Sequence, residues 1–377
     1  MSTAAPIHVV HLLYRFAAGG MENVLVQLIN HLPHDQFRHT VVALTTADPA
    51  FIARIERGDV EIIALDKPPG QPFRLYPKVF ALLRRLRPDV LHSCNLAALE
   101  FAPVAALAGV PRRVHAEHGW DVADPDGSNP RYRFIRRACK PFVSQFVAVS
   151  AQLHAYLAAV IGVAPGRLQL IPNGVDTERF HPRQADETAP PEYPFQRGRH
   201  HVIGTVGRLE PIKNPLLLAE AFIRLVQKLG AAGDDLRLVM VGNGPLAEAV
   251  RQRLYDASLA ERLWLPGTRA DIPAILRALD CFVLPSLAEG TSCTLQEAMA
   301  TALPIVVTDV GGNRDLLQQG QLGTLVPSND AAALAEAMRQ ALGQIQQHAG
   351  AAARAHIEEH YALPVVIDRY RQLFGGK

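Results

Sequence analysis

The chain has 377 residues, more than a single core usually holds, and its 49% hydrophobic content is enough to fill two domains, which excludes a disordered chain. A formal net charge of +2 argues against a nucleic-acid partner, and no apolar run approaches the roughly 18 residues of a membrane span. The start MSTAAPIHVVHLLYR has no charged region ahead of its apolar stretch, so a cytoplasmic chain is expected. Cys94, Cys139, Cys281 and Cys293 are scattered without a C-x-x-C and read as reduced, mostly buried thiols.

IHVVHLLY reads as the first strand, followed by a glycine loop and the helical stretch MENVLVQLINHL. RHTVVAL, VEIIALD, PDVLHS, RRVHAEHG, FVAVS and LQLIPNG continue as strands, mostly separated by helical stretches, and predict a Rossmann-like domain of parallel α/β layers over residues 1–182. Gly19-Gly20 would let backbone approach a phosphate, although such a pair alone is most often a turn. His118, ending VHAEHG, is either a satisfied core histidine or a functional group at a strand end. Asp124-Pro-Asp126 spells the D-x-D of metal-dependent transferases, but it lies in the irregular run GWDVADPDGSNP, where Asp side chains close turns, so no metal is expected there. RYRFIRRACKPF then sets Arg131, Arg133, Arg136, Arg137 and Lys140 among aromatics with no acid. It reads either as a basic helix at an anionic lipid surface, each cation contributing about 1 kcal/mol, or as a solvated face packed through its aromatics.

The Pro-rich segment 183–200 reads as a linker, and HHVIGTVGR, LRLVMVG, LWLPG, CFVLPS, PIVVTD and GTLVP predict a second Rossmann-like domain over 201–355. Open parallel sheets bind ligands beyond the carboxyl ends of their strands. Residues there include His92, Ser150, Asn173, Gly207-Arg208, Gly242-Asn243-Gly244, Gly267, Glu289 and Gly311-Gly312. The most informative stretch is LPSLAEGTSCTLQEAMATALPIVVTDVGGN, 284–313. CFVLPS is a buried strand, Glu289-Gly290 its exit loop, and Thr291 or Ser292 the N-cap of a helix through Met299. Amides near Thr294 and Leu295 could hold a phosphate, with Glu289 outside the helix and Glu297 two turns further along to accept hydroxyls. That combination suits a sugar nucleotide; an ordinary strand-loop-helix unit with two unremarked glutamates is the plain alternative.

The same stretch resembles the signature of retaining family-4 glycosyltransferases, whose two glutamates are separated by seven residues and followed by an EAMA-type helix and a TDVGG-type loop. The resemblance covers nearly the full chain, most specifically Asn173 to Val326. It implies the GT-B fold: two facing Rossmann-like domains, an interdomain cleft, and a C-terminal helix within 356–377 that packs back on the first domain. It implies that Arg208 and Lys213 of GRLEPIKNP hold the donor diphosphate, that Glu297 binds the ribose and Glu289 the sugar ring, and that His118 faces the donor sugar. Gly19, Gly20, Asn173, Gly242, Gly244, Gly290, Thr294 and Leu295 complete the expected donor site. Two cations at roughly 1.5–3 kcal/mol each would stabilise a departing nucleoside diphosphate, so neither a metal nor a cofactor is expected. The substrate would be a nucleotide sugar, a UDP-sugar first and a GDP-sugar second. TSCTL stands where many relatives carry an aromatic-glycine pair, which leaves the sugar open.

HVVHLLYRFAAGGMENVL, ALDKPPGQ, NLAALE and EHGWDVADPDGSNPRYR resemble a narrower bacterial group of exopolysaccharide loci of the PEP-CTERM and exosortase type. That resemblance implies a lipid-linked saccharide acceptor and a peripheral place on the inner face of the plasma membrane. Two other readings stay open: a nucleotide-sugar epimerase of the same fold and a catalytically silent polysaccharide-assembly protein. A nicotinamide dehydrogenase would want G-x-G-x-x-G after its first strand, which Gly242-Asn243-Gly244-Pro245 does not complete.

Overall fold

The computed structural model describes residues 5–17, 19–70, 72–121, 124, 126–343 and 350–376. Two units divide the chain: the first runs to Gly174 and takes back Leu363 onward, and the second is Val175–Ala362. The first carries β1 (Ile7–Leu13), β2 (Phe37–Ala43), β3 (Glu61–Ala64), β4 (Val90–Cys94), β5 (Arg112–Glu117), β6 (Gln145–Ala148) and β7 (Leu168–Leu170). Their order in the sheet is β3-β2-β1-β4-β5-β6-β7. The second carries β8 (His201–Val206), β9 (Leu236–Val241), β10 (Leu263–Gly267), β11 (Cys281–Leu284), β12 (Ile305–Thr308) and β13 (Thr324–Val326), ordered β10-β9-β8-β11-β12-β13. Every pairing is parallel.

Helices cover both faces of a parallel sheet, so its strands read as continuous apolar runs. CFVL of β11 and IVVT of β12 are buried at every position. In both units strand order reverses beside the first strand, between β1 and β4 and between β8 and β11. Connections leave such a pair in opposite directions, which opens a crevice beyond the carboxyl ends. The expected α/β class with two Rossmann-like domains is therefore the observed one.

Two boundaries differ from expectation. The first unit ends at Gly174, eight residues short of 182 (182 − 174 = 8), and 183–200 is not a free linker. Phe180 and Phe195 are buried in the second unit's core, Tyr193 meets Trp264 edge-on with centroids 5.2 Å apart, and its hydroxyl donates to the Ala278 carbonyl at 3.1 Å. Tyr193 and Phe195 in this polar stretch, with Phe180 just before it, had apolar surface to bury, and this unit supplied the place. The helix Ala351–His360 also belongs to the second unit, so only the helix Leu363–Gly375 returns. It buries Val366, Ile367, Tyr370, Leu373 and Phe374 with β1 and the helix Gly20–His31. No described helix is long and apolar enough to cross a membrane.

Candidate active site

The carboxyl ends of β8 and β9 are clasped together by backbone. Gly207 N–H donates to the Val241 carbonyl at 2.9 Å, Leu209 N–H to Asn243 at 2.9 Å, and Leu246 N–H to Leu209 at 3.0 Å. Gly242 has φ +136°, and a Cβ there would lie 1.9 Å from the Gly207 carbonyl oxygen. At Gly244 a Cβ would lie 2.4 Å from the Leu209 oxygen. The direct reason for both glycines is thus this close approach of two loops, which fixes where the β8 loop can go.

That loop ends in the short turn Pro211–Lys213, which Leu287 N–H secures by donating to the Ile212 carbonyl at 2.8 Å. Across the β8–β11 reversal, Lys213 Nζ donates to Glu289 Oε1 at 2.6 Å, and the Ser286 hydroxyl donates to the same oxygen at 2.5 Å. Glu289 is only 8% exposed. Gly311, at φ +53°, lies against it: a Cβ would stand 1.7 Å from the Glu289 carbonyl oxygen. Ser286 is held in turn, since the Thr308 hydroxyl donates to its carbonyl at 2.6 Å and Asn313 Nδ2 to the Thr308 carbonyl at 3.0 Å. Ser286, Thr308 and Asn313 are absent from the expected set; only their position at strand ends, in LPS and VTD, could have pointed to them.

The helix after the loop is Cys293–Ala300, and its N-cap is Ser292, whose hydroxyl accepts Leu295 N–H at 3.4 Å. Leu295 is fully buried, and its amide serves the cap. Thr294 and Gly290 are half-buried beside it. Glu297, also half-buried, stands four residues into the helix (297 − 293 = 4), just over one turn and not two. Arg208 is not gathered in: its side chain is 67% exposed and pairs with Glu210 at 2.8 Å.

In the first unit, Gly19 caps the helix Gly20–His31 in extended backbone, and a Cβ on it would meet the Glu22 carboxylate at 2.2 Å. β4 ends in His92-Ser93-Cys94 and is followed by Asn95, at φ +60°, whose side chain accepts His118 N–H at 2.8 Å. Burial lowers the pKa of His118 to about 4, against the opposing pull of the buried Asn173 side chain, so its imidazole is neutral at pH 7. Behind it runs a buried histidine chain: His92 Nδ1 lies 3.0 Å from His11 Nδ1, and His11 Nε2 lies 2.9 Å from His39 Nδ1. Burial holds His92 and His39 at about 3. Alternation along a strand puts His92 and Cys94 on one face, a signal that H-x-C in PDVLHSC already carried.

Residues 18–179 match the family described as Glycosyltransferase Family 4, and residues 200–344 match Glycosyl transferases group 1. Each half of the chain thus resembles a glycosyltransferase model. A UDP-Gal:alpha-D-GlcNAc-diphosphoundecaprenol alpha-1,3-galactosyltransferase of Escherichia coli is 28% identical over 342 residues, covering 87% of this chain and 86% of that protein. The putative glycosyltransferase EpsF of Bacillus subtilis is 30% identical over 213 residues, covering 55% of this chain and only 54% of EpsF. Anabaena HepE, solved in complex with UDP, superposes with a TM-score of 0.79 at 19% identity, covering 98% of this chain and 100% of that one. A Rickettsia africae glycosyltransferase gives 0.78 at 16%, covering 98% of each chain. At these identities the likeness shows the fold, which is GT-B.

In the first unit the basic run is the helix Pro130–Cys139 with the turn Lys140–Phe142, and most of its cations are structural. Arg136 is 1% exposed and donates to both Glu117 oxygens, at 2.7 and 3.3 Å. Arg133 donates to the Gly127 carbonyl at 2.6 Å, Arg137 to Val160 at 2.7 Å, and Lys140 to Ile161 and Gly162 at 3.1 and 2.8 Å. This corrects the expectation of five outward cations: carbonyls left unpaired at turns and helix ends took up the donors. Arg131, the surface-bonded Arg137 and the 70%-exposed Phe134 remain outward. In the D-x-D, Asp124 accepts Asn129 N–H at 2.8 Å and Asp126 accepts Ser128 N–H at 3.0 Å, so both close turns. Val122, Ala123 and Pro125 of that run lie outside the described residues.

Burial alone would raise the Glu117 carboxyl, but its His115 hydrogen bond and the Arg136 charge outweigh it and hold the pKa at about 2. With the folded value below the ordinary 4.5, that stabilisation is complete above about pH 4.5 and is lost as pH falls toward 2. Arg136→Met is expected to lower stability by about 3–5 kcal/mol at pH 7, because Glu117 is left charged and buried. Denaturant unfolding at pH 7 and pH 4 checks this: the deficit should shrink at pH 4, where the stranded carboxylate takes up a proton. At the donor side, Gly311→Ala is expected to lose about 1–3 kcal/mol. Gly207→Ala, where a Cβ meets nothing within 4 Å, is the control expected to be nearly neutral, and thermal unfolding compares the two.

Proposed function

We propose that the chain transfers a glycosyl unit from a nucleoside-diphosphate sugar to a hydroxyl of a lipid-linked saccharide, with retained anomeric configuration, in the assembly of an exopolysaccharide. The observation that carries this reading is the Lys213–Glu289 pair, 2.6 Å apart at the β8–β11 reversal, where an open parallel sheet takes its ligand. Lys213 already holds an anionic oxygen there, so it is preset for a diphosphate, and Glu289, released from it, becomes an acceptor for sugar hydroxyls. The Escherichia coli relative, a galactosyltransferase that uses UDP-Gal on a diphosphoundecaprenol-linked sugar, supports the acceptor class and a UDP-sugar as the first donor to try; a GDP-sugar is the second.

In the reaction the bond from the anomeric carbon to the diphosphate oxygen breaks, and the nucleoside diphosphate leaves with the electron pair. Lys213, with Arg208 swung in from solvent, stabilises that growing negative charge. The acceptor oxygen attacks from the same face, and its proton passes to the departing phosphate. Glu297 serves the ribose, and neutral His118 orients the donor sugar and is not the base. Two cations at the diphosphate make a metal unnecessary for the transfer. Arg131 and Phe134 are the remaining candidates for contact with the inner membrane face, where a lipid-linked acceptor would be met.

Purified protein incubated with UDP-, GDP- and ADP-sugars, with and without bacterial lipid extract, tests this through nucleoside diphosphate release. Release from one donor, stimulated by lipid, unaffected by chelator and lowered roughly 100-fold in Glu289→Gln is expected. Conversion of the donor to an isomeric sugar nucleotide without release would overturn transfer in favour of epimerisation.

A further inference from the structure

We propose that His92, Cys94 and His118 form a binding site for a thiophilic divalent cation of the zinc class. Their ligand atoms, two imidazole nitrogens and one sulfur, all lie within 4.8 Å of one another. This is a mixed nitrogen and sulfur set of the kind that selects zinc or its neighbours over magnesium or calcium. All three residues belong to the first unit, whereas Lys213 and Glu289 belong to the second. Neither charge-stabilising residue of the transfer reaction is a ligand here, whereas His118 is shared with the donor-sugar contact proposed above; metal occupancy is read out without turnover.

Three features mark this as more than a chance cluster. The strand fixes two ligands: His92 and Cys94 share one face of β4, with Cys94 Sγ 3.9 Å from His92 Nε2. β5 fixes the third, because Cys94 pairs with Ala116, and His118 lies two residues further along that neighbour. The outer shell is also in place. His92 Nδ1 is engaged by His11 at 3.0 Å, and His11 by His39 at 2.9 Å, the arrangement in which a ligating imidazole commits its other nitrogen and turns Nε2 toward the metal. Finally, the Tyr370 hydroxyl is buried with no hydrogen-bond partner among the described residues, and its ring is 5.8 Å from that of His92. A metal-bound thiolate or water would give that hydroxyl its acceptor.

The ligand atoms of a tetrahedral zinc with Zn–N near 2.0–2.1 Å and Zn–S near 2.3 Å stand roughly 3.3–3.8 Å apart, so the cluster must close by about 1 Å. His118, half-buried at a strand end, can supply that movement. Burial keeps Cys94 a thiol, whereas the imidazoles are neutral, so binding displaces one proton, from Cys94 Sγ, and forms one metal–sulfur bond. Three protein ligands leave a fourth position for water.

Co2+ titrated into the metal-free, reduced full chain gives the readout, because a thiolate ligand produces a near-ultraviolet charge-transfer band. One equivalent should develop that band and Zn2+ should abolish it. Cys94→Ala should lose the band while Cys293→Ala, altering a thiol outside the cluster, keeps it; His92→Gln should weaken binding at least tenfold. Circular dichroism establishes that each variant is folded. Absence of the band in wild type, or its persistence in folded Cys94→Ala, overturns the site. Should Cys94→Ala fail to fold, X-ray absorption of the Zn2+-loaded wild type decides: one sulfur with nitrogen ligands is expected, and a shell without sulfur overturns it.

Discussion

The second unit is organised around a single carboxylate oxygen. Glu289 Oε1 receives Lys213 Nζ and the Ser286 hydroxyl at once, and nearly everything at that edge of the sheet serves to keep the oxygen in place. Ser286 is anchored through Thr308 and Asn313, the Lys213 turn is anchored through Leu287, and Gly311 leaves no room for the Glu289 backbone to retreat. A nearly buried carboxylate with one lysine is costly to strand and simple to exchange. An incoming diphosphate can replace it on the lysine and offer sugar hydroxyls to the released oxygens, so neither charge is left unpaired.

The first unit repeats the sheet plan with different chemistry at its reversal. Where the second unit places an ion pair, the first places neutral, buried imidazoles in series, with His118 at the outer end and His39 at the inner. Burial keeps these rings neutral, so they act as hydrogen-bonding and ligating groups and not as charges. Beside these rings, Glu117 and Arg136 form a buried ion pair that ties β5 to the basic helix. The helix Leu363–Gly375 closes the layer by burying Tyr370 and Phe374 against the histidine chain.

Continuous runs made the sheets legible because a parallel strand buried on both faces is largely apolar, as CFVL and the IVV of IVVT are, while VLHSC buries a histidine and a serine as well. Strand ends were legible for the same reason, which is why Glu289 and His118 could be named from their positions, whereas Lys213 was named through the resemblance alone. Tertiary contacts were not legible. Arg136 and Arg131 look alike in RYRFIRRACKPF, and only the placement of Glu117 on β5 decides that one is buried and the other exposed. Thr291 and Ser292 are equal N-cap candidates until the backbone chooses Ser292. The aromatics of 183–200 gave no sign of which unit they would join, and the partners of His92 lie 81 and 26 residues away in sequence (92 − 11 = 81; 118 − 92 = 26).

Calorimetric titration of free UDP and GDP into wild type, Lys213→Met and Glu289→Gln tests the exchange at Lys213 most directly. A bare nucleoside diphosphate carries the phosphates but no sugar, so it separates the lysine's role from the glutamate's. The account predicts at least tenfold weaker binding to Lys213→Met, the loss of one charge-assisted hydrogen bond of about 1.5–3 kcal/mol. It also predicts undiminished or tighter binding to Glu289→Gln, which removes the competing anion. Equal affinity for wild type and Lys213→Met, or weaker binding to Glu289→Gln, would contradict it.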